Sequence, residues 1–435
     1  MLGKLNLIAV KAKQDKTLKF TALIHHVNEE NLMQCYGELK RNRACGIDEV
    51  TVEEYGENLQ ANVRSLVERL KRKTYQPKPV KRGYIPKPGK AEKRGLGIPA
   101  VEDKLVQLML KHILEAIFEN NFLDYSYGFR PYRNSHLAIR KLDYEVMKRP
   151  VNYIVEVDVR KFFDTVQHDW LIKCLEQRIA DRNLLGLIKK LLKSGYVEAG
   201  QYHASKMGTP QGGIISPLLA NIYLHYVLDL WFDKVVKRQV GGYINLVRYC
   251  DDFVVCCQHQ SDAENFLSQL EVRLKKFGLL IAWDKTQILP FGRKAWCQSH
   301  VARKKMKTFN FLGFTHYCGR SRRGKFLMGH KTTKENLQRK LREIKEWVKE
   351  RRGKVPLKIW WNLLKVKMSG HYSYFGISGN LRCLDQFYDC VTRLVYKWIN
   401  KRSQKRSMAW VKFKAYLKQN PLPKPKIYYA FYSTK

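Results

Sequence analysis

The sequence is short of acidic residues, of paired cysteines and of long apolar runs. Its 435 residues hold 39 Asp+Glu against 81 Lys+Arg, a formal net charge of +42. Globular domains balance their charges far more closely, and a fold this basic repels itself unless a polyanion neutralises it. Nucleic acid is the first partner this charge fits, and an anionic membrane surface the second. The ten cysteines are scattered and form no C-x-x-C pair. That pattern argues against a structural zinc site and a disulfide scaffold and points to free thiols in a reducing cytosol. The early LNLIAV run is short and leads into KAKQDK, so no secretory signal is expected. The most apolar long stretch, residues 214–232, contains Pro217, Asn221, His225 and Asp229, which suits a buried helix better than a membrane span.

What is present is a large core. Apolar residues make up 45% and aromatic residues 12%, which excludes general disorder. Residues 1–75 are charged and read as helical. The Pro-, Gly- and Lys-rich stretch that follows, up to residue 99, reads as a loop or hairpin suited to phosphate contact. Helical periodicity resumes over 101–123, with Leu105, Leu108, Met109, His112 and Ile113 on one side. YIVEVDV alternates as a strand and brings Asp158 to its end. Residues 168–193 read as helix, GTPQGG as a glycine turn opening an apolar helix, and NLVRYCDDFVVCC as strand, acidic turn, strand. An amphipathic helix follows in DAENFLSQLEVRLKKFG, then a short strand pair in FNFLGFTHY. The last hundred residues predict three basic helices. The first opens on a Thr332–Glu335 capping box, packs Leu337, Leu341, Ile344 and Val348 inward, and turns Lys334, Arg339, Lys340, Arg342 and Lys345 outward.

The chemistry rests on position. An Asp-Asp pair alone means little, but Asp158 ends one strand while Asp251 and Asp252 sit in the turn of another. Clustered carboxylates repel unless a cation neutralises them. Hard divalent ions do so, and Mg²⁺ keeps positions open for substrate phosphates. Metal-dependent phosphoryl transfer is the chemistry this arrangement suits. Between the acidic strands, GTPQGG lets backbone approach a substrate closely, and the helix after it offers N–H groups to a phosphate or base.

YIPKPGKAEKRGLGIP, SYGFRP, VEVDVRKFFDTVQHD, GTPQGGIISPLLANIYLH, RYCDDFVV, WDKTQ and FNFLGF stand in an order that resembles group II intron-encoded reverse transcriptases with maturase activity. The likeness is strong over residues 40–320 and continues through GHYSYFGISGN and LPKPKI. It implies that Asp158, Asp251 and Asp252 hold two Mg²⁺ ions, with Mn²⁺ able to substitute. It implies that Phe163 lies against the sugar 2′ carbon and excludes ribonucleotides, and that Lys87 and Arg94 grip the incoming triphosphate. Gln211 and Arg130 fall among the substrate-binding positions, and Lys285 is placed to help pyrophosphate leave. FNFLGF resembles the primer-gripping hairpin. Three positions depart from the family's pattern: Cys250 stands where Ala is usual, Tyr132 where Gly is common, and Ala282 where Asn is common. No Cys/His cluster of the nuclease type follows the helical region, so the endonuclease of some relatives is not expected.

The resemblance therefore implies an α+β right-hand polymerase, with fingers and palm followed by an all-α C-terminal thumb/maturase domain. The expected divisions are a helical segment at 1–75, fingers and palm at 76–325, and thumb/maturase at 326–435. The expected activity is RNA-directed DNA polymerisation of intron RNA, with intron binding that assists splicing and mobility. The alternatives are a domesticated reverse transcriptase or a splicing-only RNA-binding maturase. Expected partners are group II intron RNA, an RNA template with DNA primer, target DNA and dNTPs, with no membrane, in a bacterial cytoplasm.

Overall fold

In the computed structural model, which describes residues 3–86, 93–301, 306–401 and 408–431, the chain divides into two units. Among the described residues the first unit joins everything up to 138 with 154–288, and the second joins 139–153 with 289 onward.

The first unit opens with helices at Gly3–Gln14, Glu29–Glu38, Val52–Glu57 and Leu59–Lys71. Asn28 caps the second, accepting from the Asn31 N–H at 3.0 Å. Thr51 and Glu54 form a reciprocal capping box on the third. Strands Val80–Pro86 and Lys93–Ile98 make an antiparallel hairpin from the Pro/Gly/Lys-rich stretch. Tyr196–Glu198 adds to it in parallel, and Gln201–His203 completes four strands. The Val101–Phe118 helix is buried on nearly every side rather than along one stripe. Its polar positions are therefore matched: Asp103 accepts from the Tyr75 hydroxyl at 2.5 Å, and Gln107 accepts from the Ile214 N–H at 2.9 Å. The helix expected over 168–193 is two, His168–Leu175 and Arg182–Lys193. Asp181 breaks it by capping the second while also accepting from the N–H groups of Leu23 and Ile24.

A second four-stranded sheet runs in the order Ile244–Tyr249, Asp252–Cys257, Tyr153–Val157, Gln287–Pro290. The apolar run after GTPQGG forms the Ser216–Leu224 helix. The helix continues through two π-helical turns, His225–Asp229 and Phe232–Val236, before ending at Lys237–Gln239. No helix among the described residues is long and apolar enough to cross a membrane. None of the ten cysteines is in a disulfide, and Cys256 and Cys257 are buried in their strand.

The second unit holds a three-stranded sheet, Phe326–Thr332, Phe314–Arg320 and Phe309–Phe311 in that order. Leu312 and Gly313, both with positive φ, make the tight turn of FNFLGF. The strand at Phe326–Thr332 corrects the expectation that residues 326–435 are wholly helical. Helices follow at Lys334–Arg351, Leu357–Phe375, Leu381–Ile399 and Trp410–Gln419. They close over a core built from Val348, Trp360, Trp361, Leu364, Phe387, Val391 and Phe413, among others. The cap of the first is Thr333, one residue beyond the expected Thr332. Thr332 is committed elsewhere: its N–H donates to Asn380 Oδ1 at 2.8 Å and its hydroxyl accepts from Asn380 Nδ2 at 2.9 Å. Arg339 and Lys340, expected to face outward, are half-buried and both reach Glu343, at 2.8 and 3.2 Å. Lys334, Arg342 and Lys345 are exposed.

His371 lies in this core, 4% exposed and stacked on Phe387 with ring centroids 3.9 Å apart. Burial, reinforced by Lys340 and Arg339, pushes its pKa down from 6.5 to about 3. The unfolded chain thus takes up a proton that the folded core refuses. The resulting stability is complete above pH 6.5 and is lost as pH falls toward 3. Thermal melts of His371→Phe between pH 7 and 4 should show a shallower acid dependence than wild type; an unchanged slope would exclude His371 as a contributor.

Candidate active site

The strand Tyr153–Val157 ends at Asp158, whose backbone is held on both sides by one loop. The Asp158 N–H donates to Thr286 Oγ1 at 3.3 Å, and the Ala282 N–H donates to the Asp158 carbonyl at 2.8 Å. Lys285 lies in that loop, and its Nζ donates to Asp158 Oδ2 at 2.5 Å. Burial alone would lower the Lys285 ammonium. The hydrogen bond and charge of Asp158, with the charges of Asp284 and Asp252, outweigh burial and hold its pKa above the ordinary lysine value.

The neighbouring hairpin closes where Tyr249 pairs with Asp252. Cys250 and Asp251 are the two turn residues, and Cys250 takes a left-handed φ of 58°. Asp251 is half-buried and Asp252, opening the return strand, is exposed. The donors present are hard carboxylate oxygens, and one of them already accepts a cation. That chemistry fits Mg²⁺, which takes one or two carboxylates and completes its shell with water and phosphate oxygens. Among the described residues, no three His, Cys, Asp or Glu side chains gather as a metal-holding cluster.

Beneath the turn is a buried network that sequence reasoning missed. Arg248 has no exposed surface, and its guanidinium grips Asp229, also fully buried, at 2.8 and 2.5 Å. The same guanidinium donates to Asn221 Oδ1 at 3.0 Å and to the Cys250 carbonyl at 2.9 Å. Asn221 Nδ2 passes the link on to the Gly128 carbonyl at 2.6 Å. The Arg248 backbone pairs with the SYGFRP loop, donating to the Tyr125 carbonyl and accepting from the Tyr127 N–H. A Cβ on Gly128 would lie 2.6 Å from the Cys250 nitrogen, so only glycine lets that loop close on the turn. His225, 2% exposed, sits beside the pair. Burial pushes its pKa down to about 4, with Arg248 and Arg130 acting against the pull of Asp229. The available signal was the presence of Asn221 and Asp229 in an otherwise apolar helix.

The remaining expected residues divide. Phe162 is 1% exposed and takes the core position, leaving Phe163 half-buried beside it. The Phe163 carbonyl accepts from the Thr209 N–H at 2.7 Å, and the Val166 carbonyl from the Gly208 N–H at 2.8 Å, tying the short Phe162–Thr165 helix and the residue after it to GTPQGG. His168 Nε2 reaches the Gly208 carbonyl at 2.7 Å. The Gln211 carbonyl accepts from Gly97 at 2.5 Å, and Gly212, with a φ of 106°, meets Gly97 too closely for any side chain. The N–H groups expected free where the helix begins after GTPQGG are partly taken: Ile214 donates to Gln107, Ser216 to the Gly213 carbonyl and Leu218 to the Ile215 carbonyl. Arg130 is turned inward, 7% exposed, bound to Glu119 and to the carbonyls of Leu123 and Ser126. Its guanidinium organises the loop instead of facing a substrate. Tyr132 adopts a φ of 59° with its side chain fully exposed, which explains how glycine suits this position. Lys87 lies outside the described residues; Arg94 pairs with Ile85 through the hairpin backbone.

A buried guanidinium deprived of its carboxylate is costly, about 3–5 kcal/mol, whereas replacing both partners with apolar residues can be nearly neutral. Asp229→Asn should therefore destabilise the chain by roughly that amount in chemical denaturation. The paired change Asp229→Leu with Arg248→Met should recover most of the stability. It still deletes the bond to the Cys250 carbonyl, so the two measurements separate folding from positioning of the acidic turn.

A family model described as reverse transcriptase (RNA-dependent DNA polymerase) matches residues 85–316. The chain is 41% identical over 211 residues to the group II intron-encoded protein LtrA of Lactococcus lactis subsp. cremoris, covering 48% of this chain and 34% of that protein. It is 34% identical over 276 residues to protein YkfC of Escherichia coli (strain K12), covering 56% of this chain and 71% of that one. The nuclear intron maturase 1, mitochondrial, of Arabidopsis thaliana is 37% identical over 97 residues, 22% of this chain and 13% of the relative. The chain thus spans about a third of LtrA's length. With the motifs, the acidic strand ends and the matched segment in agreement, the chain belongs to the reverse transcriptase (RNA-dependent DNA polymerase) family.

Proposed function

We propose that the chain is an RNA-directed DNA polymerase of the group II intron-encoded type, extending a DNA primer on an RNA template. The observation that carries this reading is Asp158 at its strand end, bound to Lys285, in the same sheet as the strand that Asp252 opens. Asp158, Asp251 and Asp252 would hold Mg²⁺ or substituting Mn²⁺, and two such ions supply activation of the attacking oxygen and charge neutralisation at the leaving one. The protein's own groups do the rest. The loop around Thr286 and Ala282 fixes Asp158, the Arg248 network fixes the turn that carries Asp251, and Lys285 offers an ammonium to the departing pyrophosphate. Phe163, tied by its carbonyl to GTPQGG, excludes a 2′-hydroxyl, and Gln211 lines the same nucleotide pocket. Gripping the incoming triphosphate falls to Lys87 and Arg94.

In this reading residues 1–75 precede the fingers and palm at 76–325, and 326–435 form the thumb and maturase region. The +42 charge supports a second role, binding intron RNA to assist splicing and mobility, with target DNA as a further partner. A splicing-only maturase is the rival, and polymerisation separates the two.

Asp158→Asn and Asp251→Asn should each abolish primer extension in Mg²⁺ while leaving RNA binding nearly intact. Substantial residual extension by either variant would overturn the assignment. Phe163→Val should raise ribonucleotide incorporation relative to deoxyribonucleotide incorporation, because it removes a steric wall and no reacting group. An unchanged ratio in single-nucleotide extension would return Phe163 to a packing role.

A further inference from the structure

The Asp158 carboxylate already carries a cation, and the backbone is built to keep it there. The Ala282 N–H donates to the Asp158 carbonyl at 2.8 Å, and the Lys285 N–H donates to the Ala282 carbonyl at 3.0 Å, closing a turn against Asp158. Thr286, the next residue, accepts from the Asp158 N–H at 3.3 Å. The lysine is thus anchored to the backbone of the residue whose side chain its ammonium holds, at 2.5 Å from Oδ2. Both side chains remain partly open, Lys285 at 45% and Asp158 at 32% exposure, so the pair can part without unpacking a core. Asp284 and Asp252 act on the same ammonium, which therefore answers to more than one carboxylate.

An exposed ion pair of this kind adds little to stability. Its consequence lies in competition, because the oxygen it covers is the one a divalent ion needs. We propose that Lys285 is a resident counter-cation of the acidic site: it holds Asp158 in the substrate-free protein, and a divalent ion must displace it to bind. The inference rests on the reading of Asp158 as a metal ligand. No bond is made or broken in the exchange; the ammonium moves from a carboxylate oxygen to solvent or to a substrate phosphate oxygen. The lysine thereby links metal entry to its own release toward the triphosphate. Without it, Asp158, Asp252 and Asp284 lose their shared positive neighbour, and the demand for a divalent ion rises.

The test is Mn²⁺ binding to the full chain without nucleic acid or dNTP, followed by the electron paramagnetic resonance of free Mn²⁺. Wild type, Lys285→Met, Lys285→Arg, Asp158→Asn and the double variant Asp158→Asn with Lys285→Met are compared. Lys285→Met should bind roughly tenfold more tightly than wild type, a difference of about 1.4 kcal/mol. Lys285→Arg, which keeps a cation, should stay near wild type, and both Asp158→Asn proteins should lose the site. Melting temperatures give a second readout: Lys285→Met should gain more from added Mn²⁺ than wild type does. If wild type shows an Asp158-dependent site that Lys285→Met binds no more tightly, the counter-cation role is overturned and the metal reading stands. If no Mn²⁺ binding depends on Asp158, both are overturned.

Discussion

A guanidinium with no exposure to water must find partners inside the protein, and Arg248 finds them in three residues at once. Asp229 neutralises it, Asn221 accepts from it, and the Cys250 carbonyl fixes the turn that carries Asp251. Its backbone engages the SYGFRP loop, which Arg130 holds from the other side through Ser126. Three segments far apart in sequence are thus tied to one buried charge. Such a charge is weak as a source of net stability but strict in the geometry it demands. The turn whose second residue is Asp251, a proposed metal ligand, profits from that strictness, since Cys250 is already held at a left-handed φ.

The same constraint accounts for the shape of the helix that supplies Asp229. A regular α-helix from Ser216 would carry its side chains around at a fixed angle per residue. The first of the two π-helical turns, ending at Asp229, changes that register between Asn221 and Asp229, and both meet Arg248. π-turns of this kind gather at functional sites. In a chain of +42, the proposed acidic site draws on Asp158, Asp251, Asp252 and Asp284. Lys285 interacts with three of them, Asp158, Asp252 and Asp284.

Much of this was legible in the sequence. Alternation in YIVEVDV and the apolar β-branched residues flanking the acids of NLVRYCDDFVVCC were enough for three strands and an acidic turn, because both are local signals. Apolar spacing found three of the four C-terminal helices for the same reason and missed Trp410–Gln419. What stayed hidden was non-local. Nothing near Arg248 announces a partner nineteen residues earlier, and Asp229 read only as an argument against a membrane span. Thr332 had the better local motif for a cap, yet Asn380, distant in sequence, claimed it. Arg130 sits in a family motif, but Glu119 and two carbonyls turn it inward. The helix over 168–193 broke because Asp181 serves two backbones at once. In each case a tertiary partner overrode a sound local preference.

The most direct measurement of the central claim is anomalous diffraction from Mn²⁺ in crystals of the chain with an RNA template, a DNA primer and a non-reacting deoxynucleotide. The account predicts an Mn²⁺ peak bonded to Asp158 and Asp251, with Lys285 moved off Asp158 and Phe163 against the sugar. A metal peak remote from these carboxylates, with Lys285 still bound to Asp158 in the loaded complex, would contradict it.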